Sequence, residues 1–207
     1  MQRTSTIYPP APQAAVPIES RALGTLAFIR ASIEASSSMV VPGMAAIVMG
    51  FIGLAATAVT FRWPTRWLET WVLAGAVAFL LGGGIVVRQA AERAEVRYLG
   101  PVRKFLLCLC PVLIAAAAMT FVLWRAGLEP LLPGMWLLLY GCAILSASTV
   151  MSARITRLVA AMGALFVLLG LATFALPATM HVTMLGLGFG VLHLVYGALI
   201  RRVTHGE

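Results

Sequence analysis

Residues 131–150 read LLPGMWLLLYGCAILSASTV. The stretch contains no Asp, Glu, Lys or Arg. Wound as a helix at ~1.5 Å per residue, a run of this length crosses the ~30 Å hydrocarbon core of a bilayer. Backbone groups in lipid must be satisfied within the segment, so the run reads as a helix and not as an open strand. Five further runs share its character, at about 43–61, 70–87, 105–124, 157–176 and 182–200. None has a charged residue near its middle, and none shows the alternation of an outer-membrane barrel. The expected fold is therefore all-α, a polytopic membrane bundle of six transmembrane helices, numbered here as spans one to six.

Composition agrees with that reading. The 207 residues are 61% hydrophobic and 11% charged, whereas a soluble domain carries about 25% charged residues. The net charge of +8 is spread over short segments between apolar runs, which suits a topogenic role better than a nucleic-acid-binding face. Cys108, Cys110 and Cys142 lie inside apolar runs and read as small buried apolar residues, not as a disulfide set. No cleavable signal peptide is evident near the start. Residues 1–17 read as a flexible Pro-rich tail, 18–41 as a cytoplasmic or interfacial amphipathic helix, 42–202 as the transmembrane domain and 203–207 as a tail.

The basic residues orient the chain. Arg3, Arg21, Arg30, Arg88, Arg93, Arg97, Arg103, Lys104, Arg154, Arg157, Arg201 and Arg202 fall on one side, against only Arg62, Arg66 and Arg125 on the other. The positive-inside rule then puts both termini in the cytoplasm, as an even number of spans requires. Trp63, Trp67, Trp71, Trp124 and Trp136 all fall toward the outer ends of spans, where indole rings anchor at headgroup level. Spacing of four places the first three along one helical face.

Two segments outside the spans offer surfaces for a cytoplasmic or membrane protein partner. Within 18–38, Ala22, Leu26, Ile29 and Ile33 form one stripe. RQAAERAEVR at 88–97 reads as a helix continuing span two, ended by Gly100-Pro101, and the connection extends to 104.

Little catalytic chemistry is visible. His193 is the one titratable group at depth, with Tyr140 and Tyr196 as weaker polar groups. Counted from the outer surface, Tyr140 and His193 both lie roughly 14–17 Å deep, so a hydrogen bond between them is expected. His181 and His205 lie too near the surfaces to join His193 on a haem. The side chains of Cys108 and Cys110 point about 200° apart on a helix, which prevents chelation of one metal. GLGFG at 186–190 lacks the preceding strand of a nucleotide loop. No catalytic, cofactor-binding or metal residues are assigned, and the chain is expected not to be an enzyme.

Glycines carry the clearest pattern. Gly43 and Gly50, Gly75 and Gly82, Gly134 and Gly141, Gly163 and Gly170, and Gly190 and Gly197 are each seven apart, so each pair shares a helix face. Small residues let backbones approach closely in lipid. Span three has Ala115 to Ala118 in their place. Two of these pairs sit in an echo, PGMAAIVMG at 42–50 and PGMWLLLYG at 133–141. Three spans separate the copies, so they would run in opposite senses, the arithmetic of a 3+3 inverted repeat. Local convergence on a good helix start and a good packing face is the simpler account of the echo.

FIRASIEASSSMVVPGMAAIVMG at 28–50, PGMWLLLYGCAILSAS at 133–148 and GLGFGVLHLVYGALIRR at 186–202 together resemble a group of uncharacterised bacterial inner-membrane proteins with six spans, often found beside winged-helix regulators. The similarity runs from about residue 20 to the end. It implies a fold and a compartment, the bacterial inner (cytoplasmic) membrane, and brings no activity or site residues. The glycine pairs with Pro177 resemble, more faintly, membrane proteins of the HdeD type. The functional expectation is a non-enzymatic sensing or scaffolding component; the alternative is a small permease for neutral or lipophilic solutes. Expected partners are the lipid bilayer, a protein engaging 18–38 and 88–104, and a second copy in a homo-oligomer, but not nucleic acid; no cofactor is expected.

Overall fold

The structure, a computed structural model, describes residues 23–29, 43–92 and 99–205. It divides into two units, residues 1–35 and 36–207. In the first unit, 23–29 form helix α1, in which Leu23, Leu26, Phe28 and Ile29 are exposed. The rest of the expected helix at 18–41, including Ala22 and Ile33, lies outside the described residues.

The second unit holds α2 (Gly43–Arg62), a 3-10 turn Pro64–Arg66, α3 (Trp67–Glu92), α4 (Leu99–Arg125), a 3-10 turn Glu129–Leu131, α5 (Leu132–Ser148), α6 (Ala153–Ala175), α7 (Ala178–Leu185), a π-helical segment Gly186–Leu192 and α8 (His193–His205). The described residues contain no strand, and six stretches are long and apolar enough to cross a membrane: Gly43–Arg62, Pro64–Gln89, Arg103–Arg125, Glu129–Ser148, Ala153–Ala175 and Ala178–Thr204. Span six is thus α7, the π segment and α8 in series.

Local chemistry sets the turns. Pro64 begins its turn where no N–H is needed. At the end of α4, Gly127 takes φ 69°, which favours glycine. The Leu128 N–H then donates to the Leu123 carbonyl at 2.9 Å and the Gly127 N–H to Trp124 at 3.1 Å, closing the helix end. Pro177 holds Leu176 extended (φ −94°, ψ 153°) and so separates α6 from α7. Gly100 and Pro101, expected to end the helix of span two, instead lie in the first turn of α4. A first turn tolerates proline, because its N–H groups have no intrahelical partner.

Helices meet at glycine. A Cβ placed on Gly141 would lie 2.7 Å from the Val167 nitrogen and 2.8 Å from the Gly163 oxygen; one on Gly170 would lie 2.6 Å from the Leu138 nitrogen. Thus α5 and α6 touch backbone to backbone. The second seam joins the first span to the last: a Cβ on Gly197 would lie 2.8 Å from the Gly43 oxygen, and one on Gly53 would lie 2.8 Å from the Gly190 nitrogen. Close approach of this kind replaces the hydrophobic drive that lipid does not supply.

Spans two and three are held more lightly. On α3 a Cβ at Gly82 would meet only the Met49 side chain, and Gly75, expected to share that face, has nothing within 4 Å. No residue of α4 between Arg103 and Arg125 is fully buried; it rests on the bundle through a stripe including Phe105, Cys108, Ala116 and Thr120. Ala115, Ala117 and Ala118 face outward, so the alanine run serves as a packing face only at Ala116. Cys142 is likewise exposed, against the expectation of burial.

The echo serves packing. A half-turn exchanging spans 1–3 with spans 4–6 carries span one onto span four and span six onto span three. Gly43 and Gly50 seat on span six, so Gly134 and Gly141 would have to seat on span three. They seat on α6, span five, instead. At their glycines the two motif copies are therefore not equivalent, although each copy's span also packs on the span that follows it, α2 on α3 and α5 on α6.

Candidate functional site

Tyr140 on α5 and His193 at the start of α8 meet in the interior. The Tyr140 hydroxyl lies 2.8 Å from His193 Nε2. On the other side of the ring, Nδ1 lies 3.3 Å from the Gly188 carbonyl, five residues back along the same span. A carbonyl only accepts, so Nδ1 carries the hydrogen and donates to Gly188. Nε2 then accepts from Tyr140 O–H, and one hydrogen-bond chain runs from α5 through the imidazole to the π segment. Both ring nitrogens are satisfied, which a 2% exposed histidine requires.

The π segment positions this node. A wider turn over Gly186–Leu192 aims its three buried glycines at different neighbours. Gly186 faces Thr57 on α2, Gly188 faces Leu137 and Phe166 on α5 and α6, and Gly190 faces Leu54 on α2. Single π turns concentrate at functional positions in helices. Aromatic rings complete the surroundings. Tyr140 meets Phe166 edge-on at 4.9 Å and Phe189 at 5.2 Å, and Phe189 stacks on His193 at 6.1 Å and 18°.

Trp71 extends the cluster toward the end carrying the tryptophans. Its ring lies 6.0 Å from Phe189 and is only 6% exposed, and its N–H has no partner. Expected to anchor at the surface, this indole is a core side chain instead. Trp136 is half-buried and donates to the Thr120 hydroxyl at 2.8 Å, tying α5 to α4, while Trp67 packs 6.0 Å from it. Trp63 and Trp124 are exposed, each at 52%. The proline turn offsets Trp63 from the helix that carries Trp67 and Trp71, and the wall of α3 faces inward.

Of the other residues singled out by sequence, Gly43, Gly50, Gly190 and Gly197 line the α2–α8 seam, and Gly134, Gly141, Gly163 and Gly170 the α5–α6 seam. Neither seam reaches the Tyr140 side chain. Sequence spacing missed Gly53, Gly186 and Gly188, because none belongs to a seven-residue pair. It also missed Thr57, Thr60 and Thr173, whose hydroxyls donate to carbonyls four residues back at 2.7–2.8 Å and so enter the interior satisfied. Among the described residues no three of His, Cys, Asp and Glu come together as metal ligands. The node is a closed chain: it offers mechanical linkage between α5 and span six and no free nucleophile or base.

Fold and node together define a multi-pass membrane helix bundle. No family model, curated protein or solved structure matches the chain.

Proposed function

We propose that the chain is a non-enzymatic sensing or scaffolding component of the bacterial inner membrane, with both termini in the cytoplasm. The observation that carries this reading is the unequal attachment of its spans. Spans one, four, five and six are joined by backbone contact at glycine and by the Tyr140–His193 bond. Span three lies at the edge with no fully buried residue, and only the 88–104 connection links it to span two in sequence. A rigid frame bearing two lightly held spans, α3 against α2 and α4 against α5, suits a part that responds to, or holds, a partner. The basic connection between those spans is their cytoplasmic handle, and the resemblance to six-span proteins beside winged-helix regulators fits the same role. The permease alternative is the poorer fit, since a solute path between the halves would have to part backbone contacts that leave no room for a methyl group.

Purification from native membranes in mild detergent tests this reading. A stoichiometric protein partner is expected, lost when Arg93 and Arg97 are changed to Glu. Recovery of the chain without any stoichiometric partner would overturn it.

A further inference from the structure

One end of the bundle carries an excess of cations arranged around a common centre. At that end an apolar cluster of Ile144, Ala147, Met151, Ile155, Val159 and Ile200 is buried, with Val86, Phe105 and Cys108 packed against it. Exposed cations are sequence neighbours of its members: Lys104 beside Phe105, Arg157 two residues from Ile155 and from Val159, and Arg201 beside Ile200. Arg103 and Arg202 are exposed next to them. Three helices, α4, α6 and α8, thus present cations around one core. The opposite end has Arg62, Arg66 and Arg125 with Glu69 and Glu129 among them. In sequence, the connections on this side at 88–104 and 149–157 and the stretch 201–207 hold nine cations against Glu92, Glu95 and Glu207, while the other connections hold Arg62, Arg66 and Arg125 against Glu69 and Glu129.

The placement selects the counter-charge. These cations stand at the ends of membrane-length helices, at the depth of lipid headgroups. No acidic residue occupies the first turn of α2, α4 or α6, although the helix dipole would favour one, and Ser152 makes no side-chain cap at α6. Arg157 follows close behind that uncapped start. The Arg201 stem already lies along the bundle, its Cγ over Gly43, which leaves the guanidinium at the rim. At these helix starts the described residues supply no negative charge, and phosphates of the surrounding lipid lie at that level.

We propose that this rim binds anionic phospholipid headgroups selectively, through Arg103, Lys104, Arg157, Arg201 and Arg202. The inference does not rest on the sensing or scaffolding role or on the orientation of the chain, since it concerns only one end of the bundle and its adjacent leaflet.

The test uses the full chain in nanodiscs holding phosphatidylcholine and phosphatidylglycerol in equal amounts, followed by detergent extraction and native mass spectrometry of the lipids retained. Phosphatidylglycerol is expected in several-fold excess, falling to the proportion of the mixture when Lys104→Gln, Arg157→Gln and Arg202→Gln are combined. The excess should survive Arg62→Gln with Arg66→Gln at the other end. For the unaltered chain, high salt during extraction should abolish it, whereas inorganic phosphate added to the low-salt buffer with ionic strength held constant should not displace the lipid. Retention in proportion to the mixture would overturn the proposal. So would equal losses from neutralising either end, displacement by free phosphate, or an acidic protein taking the rim in place of the lipid.

Discussion

A leucine at position 141 would have to push two backbones apart, because the groups that its Cβ meets are the Val167 nitrogen and the Gly163 oxygen. Side chains can turn away from an intruding atom; main chain cannot. Gly141→Leu is therefore expected to destabilise by about 1–3 kcal/mol through overpacking, and Gly190→Leu by less, since a Cβ there first meets the movable Leu54 side chain, while Ala172→Leu, exposed on α6, leaves thermal stability in detergent nearly unchanged. Equal melting temperatures for the three variants would remove backbone contact as the source of cohesion. At Tyr140 the matter is polar. Tyr140→Phe strips His193 Nε2 of its donor, and His193→Phe strands both the Tyr140 hydroxyl and the Gly188 carbonyl. A double-mutant cycle in detergent should give a coupling of about 1 kcal/mol between these residues; a coupling of zero would mean that the 2.8 Å approach contributes no stability. This pair was legible in the sequence, since equal depth and complementary hydrogen bonding both followed from counting residues. Trp71 was not: its position in the chain matches that of an interfacial anchor, and only the inward face of α3 separates it from Trp63.

Among elements, span six departs furthest from its sequence pattern. Its length and hydropathy announce one continuous helix, and in fact a π segment divides it. Nothing in apolar periodicity marks a wide turn, because a π turn changes backbone pairing without changing composition; the three alternate glycines of GLGFG were the one available sign. Removing Leu187, an exposed residue of the π segment, is expected to restore a plain α-helix, because a π turn takes up one residue more than an α turn. The faces of α7 and α8 would keep their mutual orientation, so His193 would still reach Tyr140 and Gly197 would still meet Gly43. The expected result is a loss of thermal stability smaller than that of Tyr140→Phe. A larger loss would mean that the wide turn itself is needed to seat the node. Helix ends were less legible than helix centres. The expected run at 105–124 became Leu99–Arg125, and 157–176 became Ala153–Ala175, since charged residues stop an apolar run without stopping a helix.

For the whole molecule, the number of spans followed from the sequence because lipid imposes one length and one backbone solution on every crossing. Which spans touch did not follow. The glycine pairs marked the close-packing faces but not their mates, so the echo at 42–50 and 133–141 suggested a symmetry that the glycines do not share: those of span one seat on span six and those of span four on span five. Orientation is tested by cysteine labelling. Residues near Trp67 and Glu129 should react from outside, and residues near Arg97 and His205 from the cytoplasm; reaction of a cysteine at 205 from the periplasm would reverse the topology. The seam between Gly43 and Gly197 also has a meaning for biosynthesis. The first of the six spans mates with the sixth, so its glycine face must wait, unmatched, through the insertion of every span between them. A chain cut short after Leu176 would hold that face open permanently. Such a fragment is expected to be cleared by membrane proteases far faster than the full chain in a pulse-chase measurement, even though all five of its remaining spans are inserted; equal lifetimes would mean that the early helix finds another mate. Pairing of span one with span six can thus follow only once the sixth span is in place, so this seam makes the stability of an early helix depend on a late one.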